Sequence, residues 1–143
     1  MNVLRDIFNF YINSSIHVAL SVCAFTAITF EIFQAEANLN LICFIFFGTV
    51  TGYNFVKYAG IAQLHHRSLT TALQTIQYFS LLCFFCCIYF TFKVGWNVLL
   101  GCLPLGLLTL FYAVPLFSSQ NLRTAPTIKI FVIAAVWAGA TVY

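Results

Sequence analysis

Charged side chains are what this sequence lacks most. Six Lys and Arg and three Asp and Glu make only 6% of its 143 residues charged, against about 25% in soluble domains. The shortage excludes a soluble globular domain, because a chain that is 62% hydrophobic would expose more apolar surface than water tolerates. We assign the net charge of +3 to membrane topology and not to nucleic-acid binding. The composition predicts an integral membrane protein.

The sequence also lacks the signs of a disulfide framework or a metal centre. Its six cysteines all lie inside apolar runs, where a thiol behaves as a small hydrophobic side chain. Cys83, Cys86 and Cys87 have the spacing of a redox or metal pair. Zinc sites need further ligands and polar neighbours, which this run does not offer. We therefore predict no metal and no evident cofactor.

Long apolar runs are what the sequence does contain. Five of them reach or approach the ~20 residues that a helix needs to cross a bilayer, and they cover residues 15–33, 39–59, 73–92, 96–117 and 127–143. We interpret the first as a retained span, because it is longer than the apolar part of a signal peptide. The sequence predicts an all-α, multi-pass transmembrane helical bundle of about five spans in a single domain, 1–143. We expect the chain to be cut at or within its fifth helix.

The basic residues set the orientation of these segments. With five spans, Lys93 lies at one end of the bundle, and the other end carries the remaining basic residues, Arg5, Lys57, Arg67, Arg123 and Lys129. The positive-inside rule places the N-terminus in the cytoplasm. Glu31 and Glu36 then lie on the opposite side, so Asp6 is the one acid near the basic end.

The densest group of polar residues ends the second apolar segment. If that segment stays helical through Gly60, then Asn54, Tyr58 and His65 lie within ~40° of one another. Lys57 lies ~60° to the side. The stripe is either a functional site or an interfacial belt, in which Tyr and His lie among headgroups and Lys reaches water. Asn54 is its deepest member, where an amide needs an interhelical partner or a bound ligand.

Two basic stretches flank this end of the bundle. Because His65 and His66 point ~100° apart on a helix, they do not favour one shared metal ion. Together with Arg67 they form a cationic patch that attracts phosphate. Arg123 precedes a helix that Pro126 is placed to open, and a helix N-terminus favours anions. This second loop either binds phosphate or only anchors the helix ends.

Small residues in the second segment indicate close helix packing. Gly48 and Gly52 form a small-xxx-small pattern, which lets two backbones approach each other in lipid. We expect this face to pack against another helix, within the bundle or in a partner.

The polar end of the second segment and a later aromatic stretch follow a known order. Asn54, Tyr58 and Ala62 stand at four-residue intervals, and Tyr112 and Pro115 precede the second basic loop and a fresh apolar helix. This order is similar to that of the UbiA superfamily of intramembrane aromatic prenyltransferases, whose second helix ends in Asn-x-x-x-Asp-x-x-x-Asp. The resemblance covers most of the chain.

The resemblance implies a helical bundle around a central cavity, which transfers a prenyl group from a prenyl diphosphate to an aromatic or other lipophilic acceptor. In the family, two Asp-rich loops on the cytoplasmic side hold the diphosphate through Mg²⁺. The chain would be the N-terminal half of such an enzyme. The candidate residues for binding substrate or diphosphate are Asn54, Lys57, Tyr58, His65, Arg67, Tyr112, Arg123 and Lys129.

The family's metal chemistry lacks its ligands here. Both Asp positions of the motif are replaced, by Tyr58 and Ala62, whereas Mg²⁺ prefers carboxylate, phosphate and water oxygens. Basic side chains can still pair with a diphosphate directly. Two functions stay open: prenyl transfer, or a non-catalytic membrane protein that binds isoprenoid or anionic lipid or scaffolds a partner. A channel would need polar residues at mid-membrane depth in several helices, and the third and fifth segments have few.

Overall fold

The computed structural model describes residues 2–62, 71–113 and 126–142, and within these only the backbone of 59–62, 111–113, 126–129 and 140–142. This part of the chain is helical and contains no β-strand. Its helices are α1 (Asn2–Asn13), α2 (Ile16–Ile32), α3 (Leu39–Ala62), α4 (Thr71–Thr91), α5 (Trp96–Ala113) and α6 (Pro126–Val142). The all-α class predicted from the sequence is confirmed.

Helices α2 to α6 follow the predicted apolar segments. α6 begins at Pro126, where the fixed φ of proline favours a first helical residue. By length and apolar composition, two helices in the described ranges can cross a membrane, Leu39–Tyr58 within α3 and the whole of α4. A third is added if α1 and α2 form one bent span, and α5 and α6 contain shorter apolar stretches. These helices support membrane association, and the count of about five spans stays a prediction.

Helix α3 lies between α2 and α4 and contacts both. Ala19 of α2, Val50 of α3 and Cys83 of α4 form a small buried core. α5 and α6 pack against each other and contact α3 and α2, respectively. Large side chains such as Phe85 and Tyr89 stay exposed outside this core, as expected where lipid surrounds a helix.

Several threonine hydroxyls within the helices bond to their own helix. Thr26 Oγ1 donates to the carbonyl of Val22 (3.0 Å), and Thr91 Oγ1 donates to that of Cys87 (2.8 Å). Bonds of this kind to the preceding turn need no second helix. These threonines therefore do not dictate how the helices pack.

The two glycines of the small-xxx-small pattern, Gly48 and Gly52, differ in their surroundings. A Cβ placed on Gly48 would lie 3.6 Å from Cys87 Sγ of α4, whereas a Cβ on Gly52 would have no described atom within 4 Å. Gly48 thus lies beside Cys87 of α4 in the same chain, with room for a Cβ at ordinary van der Waals distance, and the close backbone approach expected of the pattern stays a prediction. A partner helix outside this chain stays a prediction.

Helix α1 is the element that the apolar segments do not predict, because polar residues recur along it. α1 and α2 meet at an angle of 56°. The break falls at Ser14 and Ser15, and Ser15 has a left-handed backbone with φ of 66°. This conformation costs a non-glycine residue about 1–2 kcal/mol. Other contacts must therefore hold the break in place.

Candidate functional site

The polar residues of α3 form one face directed at the break between α1 and α2. α3 continues through Gly60 to Ala62, so Asn54, Lys57 and Tyr58 lie on one unbroken helix, whereas His65, the fourth member of the predicted stripe, lies outside the described residues. Asn54, Lys57 and Tyr58 stand at spacings of three and four residues, which share a face of a helix. All three bond to the segment that joins α1 to α2.

Asn54 makes the buried part of this contact. Its side chain is 2% exposed. Its Oδ1 accepts a hydrogen bond from Ser15 Oγ (2.7 Å), and its Nδ2 donates to the carbonyl of Ser14 (3.0 Å). Ser14 and Ser15 are themselves fully buried. Of the two partners expected for this amide, the structure thus shows the interhelical one.

Lys57 and Tyr58 make the outer part of the contact. Tyr58 donates its hydroxyl proton to the carbonyl of Asn13 (2.8 Å), and Lys57 Nζ donates to the same oxygen (3.2 Å). The ammonium lies 5.2 Å from the centre of the Tyr58 ring. We call these side chains of α3 (Asn54, Lys57 and Tyr58) and the residues they bond (Asn13, Ser14 and Ser15) the junction clasp.

Unsatisfied carbonyl groups at the end of α1 explain why the clasp forms. In an unbroken helix, each carbonyl accepts from the N–H four residues later, and the break at Ser15 leaves the carbonyls at the end of α1 to find other donors. The Asn54 amide, the Tyr58 hydroxyl and the Lys57 ammonium supply them. A cation is also favoured there, since the C-terminus of a helix carries partial negative charge.

Two further polar groups lie within a turn of the clasp. His17 Nδ1 on α2 and Thr51 Oγ1 on α3 are buried, and neither has a hydrogen-bond partner among the described residues. The His17 ring lies against Tyr11 of α1, with centroids 5.9 Å apart. The helix junction therefore concentrates polar atoms in an otherwise apolar bundle.

The structure brings together only part of the predicted site. Asn54, Lys57 and Tyr58 meet in the clasp. Of Tyr112 and Lys129 only the backbone is described, near the end of α5 and the start of α6, respectively. His65, Arg67 and Arg123 lie outside the described residues. The binding roles of all eight candidates stay predictions.

The serines of the clasp were missed from the sequence. Ser15 bonds to a residue 39 positions away, and no local sequence pattern predicts a partner at that distance. The available signal is the polar triplet at residues 13–15, which directly precedes a long apolar run. A polar triplet there marks a helix break, but it does not identify the helix that satisfies it.

The described residues place no cluster of carboxylates at the clasp. Glu31 lies near the far end of α2, ~24 Å from Ser15 at 1.5 Å per residue. In the described ranges, no group of three or more His, Cys, Asp or Glu side chains is placed to hold a metal ion. Because Mg²⁺ needs hard oxygen ligands, the described residues of the clasp do not fit the family's metal site.

The clasp can support anion binding and helix anchoring. An ammonium has three N–H donors, and one of those on Lys57 bonds to Asn13.

Comparison with protein-family models, curated proteins and solved structures finds no match to this chain. What the chain does must therefore be inferred from its own residues.

Proposed function

We propose that this chain is a non-catalytic, multi-pass membrane protein that binds the phosphate of an anionic lipid or isoprenoid at the clasp end of its bundle. The observation that carries this proposal is the position of Lys57, a cation about a turn and a half before the end of the apolar helix α3 at Ala62. It has no carboxylate partner among the described residues, and it bonds to a backbone carbonyl. A phosphate can occupy its remaining donors.

The use of Tyr58 and Asn54 favours binding over catalysis. In the family that the sequence resembles, the position of Tyr58 carries a metal-binding carboxylate. Here the Tyr58 hydroxyl is bonded to Asn13, and the Asn54 amide is bonded to both serines. These groups hold a helix junction, which leaves the cations as the ligand-binding part of the stretch.

The basic residues on the same predicted side extend this surface. Arg67, Arg123 and Lys129 follow α3 and precede or begin α6 in the sequence. Cations beside a membrane attract anionic lipids by about 1 kcal/mol each. We place this end in the cytoplasm on the positive-inside rule, with α2 to α6 as the five spans.

Lipid selection tests the proposal directly. The purified full chain is equilibrated with equal amounts of phosphatidylglycerol and phosphatidylcholine, and bound lipids are counted by native mass spectrometry. In the test variant, four basic residues become Gln: Lys57, Arg67, Arg123 and Lys129. The control is Lys93→Gln, at the predicted opposite end.

We expect the wild type and the control to retain phosphatidylglycerol several-fold over phosphatidylcholine, and the test variant to lose this preference. An unchanged preference in the test variant would overturn the proposal. A parallel competition with a prenyl diphosphate separates the two phosphate sources, because an isoprenoid site releases the lipid at low competitor concentration.

Prenyl transfer is the second candidate, favoured by the order of Asn54, Tyr112 and Arg123 along the chain. Incubation with a labelled prenyl diphosphate and aromatic acceptors, with and without Mg²⁺, tests it. A prenylated acceptor above the level of a protein-free control would replace the binding proposal by an enzymatic one.

A further inference from the structure

Helix α1 is strongly two-sided. At 100° per residue its polar side chains fall within an arc of ~100°, and its apolar side chains occupy the rest of the circumference. The polar set is Asn2, Arg5, Asp6, Asn9 and Asn13. On the apolar side, Val3, Leu4, Ile7 and Phe8 are 61–76% exposed. Most of this apolar face is thus left uncovered by the described residues.

One edge of that face touches the bundle. The Phe10 ring packs edge-on against Phe79 of α4, with centroids 5.4 Å apart and planes at 72°. Leu4 and Ile7 lie around the helix from this contact. The exposed face of α1 is therefore continuous with the apolar outer surface of the bundle, where Tyr78 and Leu82 of α4 are also exposed.

The clasp fixes the level at which α1 leaves the bundle. Tyr58 and Asn54 lie about one and two turns, respectively, before the end of α3 at Ala62, and the polar stretch 63–67 follows in the sequence. The break in the chain therefore lies toward the predicted cytoplasmic end of the bundle. The bend of 56° turns α1 away from the direction of α2. α1 then lies in the plane of the bilayer when α2 is tilted by ~34° from the membrane normal, which is within the roughly 0–40° that transmembrane helices adopt. At ~1.5 Å per residue, α1 extends ~18 Å from this point.

We propose that α1 is an interfacial helix, which lies along the bilayer surface with its apolar face among the acyl chains and its polar face toward water. Bilayers bind amphipathic helices of this kind at the boundary between headgroups and acyl chains. Continuity with the lipid-facing surface identifies lipid as the occupant of this face. The single charges of Arg5 and Asp6 offset each other, so apolar burial and not anionic lipid holds α1 in place.

This proposal goes beyond phosphate binding and is independent of it. The clasp residues Asn54 and Tyr58 act as positioning residues for α1, since they hold the carbonyls at which it turns. Loss of anion selectivity at Lys57 would leave α1 on the membrane. A neutral bilayer therefore separates the two proposals.

Fluorescence quenching tests the placement of α1. The full chain is first freed of its own indoles by Trp96→Phe and Trp137→Phe, and it then receives either Leu4→Trp or the matched control Asn9→Trp on the opposite face. Both proteins are reconstituted in phosphatidylcholine vesicles. Brominated acyl chains probe contact with lipid, and iodide probes contact with water.

We expect bromolipid to quench the Leu4→Trp protein several-fold more than the Asn9→Trp protein, and iodide to show the reverse order. Equal quenching of the two would overturn the proposal. Protection of the Leu4→Trp indole from both quenchers would also overturn it, because a second copy or another segment would then cover α1. Circular dichroism before quenching verifies that each variant retains its helices.

Discussion

The backbone groups at the two ends of α2 find their hydrogen-bond partners in different ways. Each end has a non-glycine residue in the left-handed region, Ser15 with φ of 66° and Gln34 with φ of 51°. After α2, the Gln34 N–H donates to Glu31 O (3.2 Å) and the next N–H donates to Phe30 O (2.9 Å). This is a Schellman motif, so the turn satisfies its backbone with bonds of its own.

At the start of α2, local bonds such as that from Ser15 N–H to Ile12 O (3.3 Å) are joined by bonds from far along the chain. The carbonyls of Asn13 and Ser14 accept from side chains of α3 that lie 40 to 45 residues later. Nothing in the junction itself replaces those donors. The α1–α2 junction therefore depends on tertiary contacts, whereas the turn after α2 satisfies its backbone groups with its own hydrogen bonds.

Asn54→Leu should lower the free energy of unfolding more than the other changes considered below. It removes the amide and leaves the buried Ser14 carbonyl and Ser15 hydroxyl without partners, which costs about 1–3 kcal/mol. The measurement is the free energy of unfolding of the full chain in mixed detergent and SDS micelles.

Asn38→Ala is the matched control for that change. The Asn38 side chain caps α3 by accepting from the N–H groups of Asn40 (3.0 Å) and Leu41 (3.4 Å), and its loss costs about 0.5–1 kcal/mol. If Asn38→Ala destabilised the chain as much as Asn54→Leu, the interhelical bonds of Asn54 would contribute no more than a local helix cap.

Substitutions at Ser15 separate its side chain from its backbone. Ser15→Ala deprives Asn54 of its donor and should cost about 1 kcal/mol. Ser15→Gly loses the same bond but relieves the left-handed strain, so we expect it to be more stable than Ser15→Ala by about 1 kcal/mol. The same SDS unfolding experiment compares them, and equal stabilities would show that the backbone at this position is not strained.

Gln34→Gly should have the smallest effect and the opposite sign. Glycine adopts the left-handed conformation without a Cβ clash, so the variant should gain about 0.5 kcal/mol over wild type. Thermal unfolding followed by circular dichroism measures the gain. A loss of stability would mean that the exposed Gln34 side chain makes a contact of its own.

The sequence predicts the helices of this chain better than its junctions. Apolar runs locate α2 to α6 because a span in lipid must be long and continuous, and Pro126 marks where α6 begins. A search for continuous apolar runs does not find α1, because the apolar residues of α1 recur with helical spacing between polar ones. The exposed apolar side of α1 then follows from the same spacing once the helix is known.

The candidate site was predictable only in part. The depth of Asn54 predicts that its amide has a partner, but the sequence cannot decide between a ligand and another helix. Ser15 provides the partner, and its role depends on a long-range contact. The bond from Tyr58 to Asn13 was likewise not predicted. At that position the resemblance only indicates that a metal-binding carboxylate has been replaced.

The most direct test of the junction clasp is a double-mutant cycle between Asn54 and Ser15, with unfolding in SDS as the readout. Asn54→Leu, Ser15→Ala and the double variant are compared with wild type. We predict a coupling energy of about 1 kcal/mol, because either single change removes the bond that both residues share. Strictly additive effects would contradict the conclusion that α3 holds the break between α1 and α2.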